Sequence, residues 1–431
     1  MSLRAPDAAP RRLPAVASTA HDHHRILAGP ALADGAEPHH AHIGRLGPLP
    51  RERPSDLIAQ IEQSGLLGRG GAGFPVGRKW RAMAERRGHA RPVVLANGAE
   101  GEPASAKDRT LMATRPHLVI DGAVLAAAAI GAHEIVFYVG REHDAAVRAM
   151  GQAMAERANA GHVPMRLVTA PIGYVAGEAT AAVHYVNDLD ARPTSTPPRM
   201  SERGVDGRPT LVQNVESLAH VALIARFGPA WYRSVGRNGA AGTALVTIGG
   251  PVARPGVYEI ELGTRLRDVL PAAGGTTGPV SALALGGYFG SWVRSADAWD
   301  LRMDPLALRE RSLSFGCGMV ELLAGDECGV RATAGIMTFM ARSSAGQCGP
   351  CVLGLGAIGD AVARIASDVA EPTDLERLEA WTGRLAGRGA CRHPDGAAQL
   401  MSSALDVFGA DFASHATRGR CDVPGVAEDA A

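Results

Sequence analysis

The stretch GLLGRGGAGFPVGRKW (residues 65–80) contains six glycines in sixteen residues and carries the two cations Arg78 and Lys79 near its end. Ordering a glycine costs backbone entropy, so such a cluster indicates a special backbone path or a ligand lying against bare backbone. Backbone N–H groups in a turn that leads into a helix bind phosphate, and a lysine adds positive charge. We interpret the stretch as a phosphate-binding loop, the alternative being a mobile surface loop.

Segments with strand and helix character alternate on both sides of this loop. Helices are predicted over residues 55–64, 78–87, 118–132 and 212–227, and strands over 93–96, 134–140 and 165–170. This alternation predicts a mostly parallel, doubly wound sheet, in which ligands bind beyond the carboxyl ends of the strands. The acidic loop NGAEGEP (97–103) follows one such end and GYVAGEA (173–179) follows another. A phosphate-binding loop and an acidic loop then border one crevice.

The rest of the chain changes character twice. Residues 243–275 read as strand, turn, strand and helix, which is typical of a small β-grasp unit, and LALGGYFGSWV (283–293) closes it. Four helical segments follow after residue 333, enough for a small bundle. The predicted units are a disordered or extended N-terminal arm (1–50), an α/β domain (51–240), a β-grasp domain (241–295), a linker (296–332), a helical bundle (333–415) and a tail (416–431).

Composition excludes several classes of function. The 431 residues carry no net charge, so no global field attracts nucleic acid, and no partner of that kind is expected. No apolar run is long enough to span a membrane, and no secretory signal begins the chain, which predicts a cytoplasmic protein. Six cysteines in a chain of this length indicate metal or redox use and not a disulfide scaffold.

Four motifs, GRGGAGFPVGRKW, NGAEGEPASAKDR, YVAGEAT and GRPTLVQNVES, occur in this order. Together they resemble the family of NADH-oxidising flavoproteins found in respiratory complex I and in related NAD-linked hydrogenases and formate dehydrogenases. The β-grasp segment resembles the SLBB domain of that family, and the helical segment with CGPC resembles its iron–sulfur bundle. The resemblance implies an α/β fold class: a Rossmann-like FMN-binding domain, a small SLBB β-grasp domain and a C-terminal four-helix bundle.

The resemblance also implies an oxidoreductase of the NADH dehydrogenase or diaphorase type. Hydride would pass from NAD(P)H to FMN, and single electrons would leave through an iron–sulfur cluster to a ferredoxin-like or quinone-linked acceptor. No general base is needed, because hydride moves directly between two stacked rings. No residue is therefore expected to be catalytic beyond flavin positioning, for which Glu100 and Glu178 are the candidates.

The cofactor-binding residues implied by the resemblance fall into groups. The FMN phosphate is assigned to Gly68, Gly70, Gly71 and Lys79, the flavin to Asn97, the flavin and nicotinamide to Tyr174, Gly177 and Glu178, the phosphate end to Gln213 and Asn214, the dinucleotide to Glu100 and Glu102, and the adenine to Phe74.

The cluster motif departs from the family pattern C-G-x-C-x-x-C with a distant fourth cysteine. In SSAGQCGPC (343–351), Ala345 stands where the first cysteine belongs, which leaves Cys348, Cys351 and the distant Cys391 as metal ligands. The resemblance then implies a [4Fe-4S] cluster with a non-standard fourth ligand, or a [3Fe-4S] cluster. Candidates for the fourth ligand are Ser344, His393, Cys317 and Cys328, although Cys317 and Cys328 read better as small buried residues, and Cys421 as a free thiol. A redox dithiol, a zinc knuckle lacking its second pair and a vestigial site are the alternatives.

Other departures affect the nicotinamide side. Ala99, Ala179, Gln213 and Ala82 replace two acids, an asparagine and an aromatic residue of the family pattern. They leave NADPH open beside NADH. Ala99, Ala179 and Ala345 together motivate an alternative function, a catalytically degenerate docking subunit of a larger redox complex. A third hypothesis is a ferredoxin reductase that works outside complex I. The expected partners are a small ferredoxin or a thioredoxin-like iron–sulfur subunit, with a membrane redox partner as a further option that would place the protein at the inner face of the membrane.

Overall fold

The computed structural model describes residues 25–86, 88, 90–158 and 163–423. These residues form two β-sheets and a helical bundle. Those parts of the predicted arm and tail that precede residue 25 or follow residue 423 lie outside the described residues.

The first sheet is parallel and has the strand order β3-β2-β1-β4. Its strands are β1 (Val93–Gly98), β2 (Glu134–Gly140), β3 (Met165–Ala170) and β4 (Thr210–Asn214). The helices of this part are α1 (His39–Leu46), α2 (Pro54–Ser64), α3 (Val76–Ala84), α4 (Lys107–Thr114), α5 (Pro116–Ile130), α6 (Asp144–Glu156), α7 (Ala179–Asp188) and α8 (Val215–Arg233). The central strands are buried almost throughout, as parallel strands covered on both faces require. Asn97 pairs with Asn214, so β1 and β4 end at the same edge of the sheet.

The predicted helix over 212–227 was wrong at its beginning. Residues Thr210–Asn214 form strand β4, and helix α8 begins only at Val215. The apolar run before Asn214 is too short for periodicity to separate a buried strand from a helix. The side chain of Asn214 accepts hydrogen bonds from the backbone of Glu216 and Ser217, and this cap fixes where the helix begins.

The second sheet has the strand order β6-β5-β9-β7-β8. Its strands are β5 (Thr243–Gly249), β6 (Gly256–Glu261), β7 (Val280–Leu285), β8 (Ser291–Arg294) and β9 (Met319–Ala324), and the short helices α9 (Leu266–Val269), α10 (Ser295–Ala298) and α11 (Pro305–Glu310) accompany them. The segment 296–332 was predicted to be a linker, but it contains β9, which pairs with β5 and β7 in the middle of the sheet. Met319, Val320, Leu322 and Leu323 of this strand are buried, so burial on both faces holds it there.

Four helices follow the second sheet, as expected for the bundle. They are α12 (Gly329–Arg342), α13 (Gly356–Ala366), α14 (Asp374–Leu385) and α15 (His393–Arg418), with a π-helical turn over Pro350–Leu355 before α13. Helices α12 and α15 run antiparallel. The ring of His393 contacts the carbonyl oxygen of Met340 at one end of the pair, and Cys328 contacts His415 at the other.

The predicted disordered or extended arm is ordered from residue 25 onward. Ile26 is fully buried, and the carboxylate of Glu259 accepts hydrogen bonds from the backbone of Arg25, Ile26 and Leu27. The guanidinium of Arg115 donates to carbonyl oxygens of the same segment. These partners lie more than 80 positions away along the chain, so composition and local periodicity gave no sign of them.

No single helix among the described residues is long and apolar enough to cross a membrane. Helices α4 and α5 together have the length and apolar composition of a membrane span, but they are bent by 97° with respect to each other. Nearly all of their residues are buried in the core.

Candidate functional site

A cavity of about 610 Å³ lies between the carboxyl edge of the first sheet, the glycine-rich loop, the second sheet and the beginning of α15. All thirteen residues that were predicted to bind cofactors line this one cavity. They are Gly68, Gly70, Gly71, Phe74, Lys79, Asn97, Glu100, Glu102, Tyr174, Gly177, Glu178, Gln213 and Asn214. Of the three predicted metal ligands, Cys391 lines the same cavity.

The glycine-rich loop connects α2 to α3 and forms one wall of the cavity. Gly71 and Gly73 have φ angles of 98° and 62°, which favour glycine. A Cβ on Gly70 would lie 3.3 Å from the Cβ of Asn214, so a side chain here would crowd the wall. The loop thus presents bare backbone to the cavity.

Contacts with distant elements fix this loop in place. Gly71 pairs with Gly316, which lies shortly before β9, through an isolated β-bridge. The backbone N–H of buried Arg69 donates to Ser217 Oγ at 2.9 Å, and its guanidinium donates to the carbonyl oxygen of Thr243 at 2.9 Å. The alternative of a mobile surface loop therefore does not describe the structure.

Lys79 lies on α3, and its side chain extends into the cavity. Its Nζ donates a short hydrogen bond to the carbonyl oxygen of Val212, and within the described part of the chain no carboxylate lies at ion-pair distance. Burial lowers the pKa of Lys79 to about 8. An enclosed ammonium group beside a glycine loop, with no carboxylate of the described residues at ion-pair distance, fits the phosphate of FMN.

Glu100 lines the cavity, but α4 occupies its carboxylate. Glu100 accepts hydrogen bonds from Ser105 Oγ at 2.6 Å and from the backbone N–H groups of Asp108 and Arg109 at 3.0 Å. Burial alone would raise the pKa of Glu100, but Arg109 and Lys107 lower it, so the carboxylate stays ionised. In this structure Glu100 caps the first turn of α4.

Glu102 has a different environment although it is only two residues away. It accepts hydrogen bonds from the Tyr174 hydroxyl at 3.1 Å and from the backbone N–H of Tyr288 at 2.7 Å. Burial raises the pKa of Glu102 to about 7. The cavity therefore contains a carboxyl group that can gain or lose a proton near neutral pH.

Three further predicted residues fix the helix ends that surround the cavity. Glu178 caps α7 by accepting from the backbone of Thr180 at 2.8 Å and of Ala181 at 3.1 Å. The amide of Asn97 donates to the carbonyl oxygen of Gly177 at 2.9 Å. The amide of Asn214 caps α8 with its oxygen and donates from Nδ2 to Asp108 at 2.7 Å.

Gln213 differs from these three residues. Its buried Oε1 has no hydrogen-bond partner among the described residues, and burying an unpaired acceptor is costly. A ligand that donates a hydrogen bond at this position would satisfy it.

A buried charge cluster on the cavity floor was not predicted from the sequence. Lys107 Nζ lies 2.7 Å from Asp108 Oδ1 and 2.9 Å from Glu216 Oε2. Burial opposes the charge of Lys107, but these carboxylates and Glu100 raise its pKa. The motif KDR contained the signal for this pair, while Glu216 lies more than a hundred positions away and joins only through the fold.

The predicted cluster cysteines lie at the beginning of the helical turn after α12 and just before α15. The thiols of Cys348 and Cys351 contact each other. The pKa of Cys351 is raised mainly by burial and, to a smaller extent, by the nearby thiols of Cys348 and Cys391. Burial by itself would raise the pKa of Cys348, but backbone hydrogen bonds from Ala390 and Cys351 lower it. Three soft donors that converge in this way fit an iron–sulfur cluster.

The four candidates for the fourth ligand have different locations. Cys317 lies on the acidic-loop side of the cavity, with its thiol against Gly286, and Cys328 lies at the opposite end of α12 from Cys348. His393 follows Cys391 by two residues. Its Nε2 is bonded to the carbonyl oxygen of Met340 at 2.8 Å, and its buried Nδ1 has no hydrogen-bond partner among the described residues. No side-chain contact of the described residues draws Ser344 into the site.

A parallel sheet with a glycine cradle, a second sheet and a thiol-bearing bundle around one cavity define the class of flavin- and iron–sulfur-binding oxidoreductases. Three family models match the chain in this order: the Nuo51 FMN-binding domain over residues 61–223, the SLBB domain over 245–287, and the NADH-ubiquinone oxidoreductase-F iron-sulfur binding region over 331–415.

Whole-chain relatives agree with these models. The second F subunit of the NADH-quinone oxidoreductase of Rhizobium meliloti is 32% identical over 382 residues, which covers 85% of this chain and 90% of the relative. The corresponding F subunit of Mycobacterium tuberculosis (strain H37Rv) is 31% identical over 85% of this chain and 86% of its own length, and that of Escherichia coli is 30% identical over 83% and 84%. The chain belongs to the family of NADH-quinone oxidoreductase F subunits.

Solved structures show the same fold. An NAD+-reducing [NiFe]-hydrogenase in the H2-reduced state matches with a TM-score of 0.79 and 28% identity over 88% of this chain, and the air-oxidised state matches with 0.76 and 29% over 84%. This chain spans 65% and 63% of the length of those hydrogenase chains. The predicted family, fold class, enzyme class and cofactor set are confirmed, while the roles of individual residues stay predictions.

Proposed function

We propose that this protein is an NADH dehydrogenase-type flavoprotein in which one cavity holds FMN and NADH side by side. Bound FMN supplies the chemistry, because it accepts a hydride and releases electrons one at a time to an iron–sulfur centre. The observation that carries the proposal is the convergence of the glycine cradle, Lys79 and Cys391 on one cavity.

The glycine-rich loop and Lys79 bind the FMN phosphate in this proposal. Gly68, Gly70 and Gly71 keep side chains out of the cradle, so that backbone N–H groups reach the phosphate oxygens. Lys79 supplies the positive charge. Burial has already removed solvent from its ammonium group, and a bound phosphate would give that group an anionic hydrogen-bond partner.

We assign the dinucleotide to the mouth of the cavity. The ring of Phe74 is 53% exposed beside the glycine loop, where an adenine can stack on it. Glu102 and Tyr174 face the same cavity and are bonded to each other, so they offer a paired hydroxyl and carboxyl group to the nicotinamide side. Glu100 and Glu178 act as positioning residues, because each caps the helix that borders the cavity.

An aromatic wall separates the cavity from the bundle. Tyr174 contacts the rings of Phe289, Phe339 and His393 at centroid distances of 5.0, 6.0 and 5.6 Å. These rings would exclude water from the inner end of the cavity, where a bound flavin would need to be shielded from solvent. Glu102 beside this wall can hold a proton at its carboxylate near pH 7.

Cys348, Cys351 and Cys391 hold the iron–sulfur cluster in this proposal. For the fourth position, Nδ1 of His393 is the donor that the contacts favour, and it would complete a [4Fe-4S] cluster as an imidazole ligand. A [3Fe-4S] cluster with three thiolates is the other form. Val352 and Leu353 next to Cys351 are exposed, by 54% and 73%, and we place the approach of the electron acceptor at this end.

The relatives are named as parts of NADH-quinone oxidoreductase. For this chain we propose a small ferredoxin or thioredoxin-like iron–sulfur subunit as the acceptor. A membrane redox partner, with a location in the cytoplasm at the inner face of the membrane, is the extended form of the same proposal.

Anaerobic titration of the reconstituted protein with NADH tests the function. We expect bleaching of the flavin bands by one equivalent of NADH per FMN, and a much weaker response to NADPH. The matched controls are Lys79→Met, which should lose flavin, and Arg78→Met, an exposed neighbour that should keep it. Protein that binds FMN but is not reduced by either nucleotide would contradict the proposal.

A catalytically degenerate docking subunit is the second candidate. Ala99, Ala179 and Ala345 favour it, because each removes a functional group of the family pattern. The intact cradle argues against it, since a docking module has no need of a desolvated lysine. Ferricyanide reduction by NADH at any rate that depends on FMN would exclude the docking role.

A further inference from the structure

The end of the bundle remote from the three cluster cysteines contains a second group of metal-binding side chains. Cys328, His415 and Cys421 place their Sγ, imidazole nitrogen and Sγ atoms within 4.8 Å of one another. Cys328 Sγ lies 3.3 Å from His415 Nε2. All three residues are buried, with exposures of 5%, 1% and 8%. Neither the FMN cavity nor the cluster cysteines use them.

This group cannot belong to the iron–sulfur site. Cys328 precedes the first residue of α12, whereas Cys348 follows its end. The helix has 14 residues, which at about 1.5 Å per residue makes it about 21 Å long. Cys328 is therefore too far away to be the fourth cluster ligand. Cys421 belongs to the predicted tail, but it is buried, because α15 carries its C-terminal end and the following chain back to the beginning of α12.

We propose that Cys328, His415 and Cys421 form a structural zinc site that fastens the C-terminal segment to the bundle. Two thiolates and one imidazole are the donors that Zn²⁺ prefers. A tetrahedral zinc ion with Zn–S bonds of about 2.3 Å and Zn–N bonds of about 2.0 Å places its donor atoms roughly 3.5–3.8 Å apart. The observed group is of this size and leaves one position for water.

The surroundings of the three donors favour a cation. His415 Nδ1 is bonded to Asp368 Oδ1 at 2.6 Å, which orients the ring and leaves Nε2 facing Cys328. A carboxylate behind a ligating histidine is the usual second layer of a zinc site. Cys328 Sγ also accepts from the backbone N–H of Arg331 in the first turn of α12, where the helix dipole favours a thiolate.

Charge balance supports the same assignment. Zn²⁺ binding releases the two thiol protons, so that two thiolates, a neutral imidazole and the dication form a neutral unit. A neutral unit can be buried without a counter-ion, whereas isolated thiolates here would be costly. The site joins the beginning of α12, the end of α15 and the segment after it. Ser414 Oγ on α15 donates a hydrogen bond to Asp422 Oδ2 at 2.7 Å, which holds that segment against the helix.

Metal analysis of the full-length protein tests this proposal independently of the flavin function. In protein produced with zinc in the medium, we expect about one zinc per chain in the wild type and nearly none in Cys421→Ser or His415→Gln. Cys348→Ser should lose iron and keep zinc, and the exposed His40→Gln should change neither metal. Flavin content should be the same in all of them.

Cobalt substitution of the wild-type chain gives a second reading that needs no variant. Tetrahedral Co²⁺ bound by two thiolates shows thiolate-to-cobalt charge-transfer bands together with intense visible bands, and added zinc should abolish both. Zinc-free wild-type protein that gives no such bands would overturn the proposal. A disulfide between Cys328 and Cys421, found by mass spectrometry in protein purified without reductant from zinc-supplied cells, would overturn it as well.

Discussion

The glycine cradle and the three-cysteine end of the bundle are both candidate cofactor sites, but the first is formed by backbone and the second by side chains. The cradle is backbone held by distant contacts, such as the bridge between Gly71 and Gly316, and the side chain of Lys79 brings a positive charge into the cavity. The cysteine end consists of side chains on short loops, where Cys348 and Cys391 are only partly buried. The cradle contains the whole motif GRGGAGFPVGRKW, whereas the cysteine end has Ala345 where the family pattern described above places its first cysteine.

This difference indicates how each region tolerates change. A backbone cradle is fixed by packing, so substituting one residue affects the fold around it as well as the ligand. A cluster held by side chains can lose one donor and keep the others, because a neighbouring imidazole or a cluster with one iron fewer compensates. The two regions should therefore respond separately to mutation, which the following experiments examine.

Cys351→Ser should have the largest effect, an almost complete loss of cluster iron with unchanged FMN content. Cys351 is the buried member of the three cysteines, and a serine hydroxyl is a poor iron ligand. Iron analysis and flavin absorbance on the same sample measure both quantities. Cys421→Ser is the control, because it removes a thiol at the other end of the bundle and should keep the iron. Loss of flavin together with iron would show that the regions are coupled.

Lys79→Met should weaken FMN binding by about 10- to 100-fold, since a hydrogen bond to a charged group contributes about 1.5–3 kcal/mol. Quenching of FMN fluorescence by the flavin-free protein measures the dissociation constant. Iron content should not change. Arg78→Met, at an exposed position on the same helix, should bind FMN as the wild type does. Equal weakening in both variants would mean that only general electrostatics matters.

The affinity for FMN should also depend on pH. Burial lowers the pKa of Lys79 to about 8 in the free protein, so the charged lysine is present below that pH and is lost above it. The FMN phosphate becomes a dianion above about pH 6, and affinity should therefore be highest between the two values. Above pH 8 it should fall by up to about tenfold per pH unit. The same titration of Lys79→Met should show no fall near pH 8, and a fall of equal size there would assign it to another group.

Ala345→Cys should have the smallest effect, a cluster that resists oxidation better. A fourth thiolate at position 345 would hold the iron for which His393 is the proposed ligand. EPR spectra during ferricyanide treatment should show the oxidised three-iron signal later, or at lower intensity, than in the wild type. Ala341→Cys, one turn earlier, is a control that should not alter the signal. An unchanged time course would place residue 345 away from the cluster.

The sequence alone predicted more about the cradle than about the chain around it. The motifs from Gly68 to Asn214 identified thirteen residues, and the fold brings all of them to one cavity. The roles of two carboxylates could not be predicted from the sequence. Glu100 and Glu178 cap helices because nearby backbone N–H groups reach them, and only coordinates show which donors satisfy a side chain.

Order in the N-terminal segment, the central strand β9 and the Cys328–His415–Cys421 group could not be predicted. Each depends on contacts between residues that are far apart in the chain, as between Arg115 and Leu27 or Cys328 and His415. Local periodicity and motif spacing contain no information about such pairs. The position of β9 in the middle of the sheet likewise follows from pairing with β5 and β7 and not from its own sequence.

The sequence by itself determined the family, the order of the domains and the glycine cradle, because these are encoded in short contiguous motifs. The tertiary structure decided which ionisable groups stay charged, since Glu100 and Glu102 share a loop but differ in pKa through their neighbours and burial. It also decided that two cysteines, neither of them part of a recognisable motif, meet one histidine. Burial and proximity arise only when distant segments pack, and they set the chemistry of those groups.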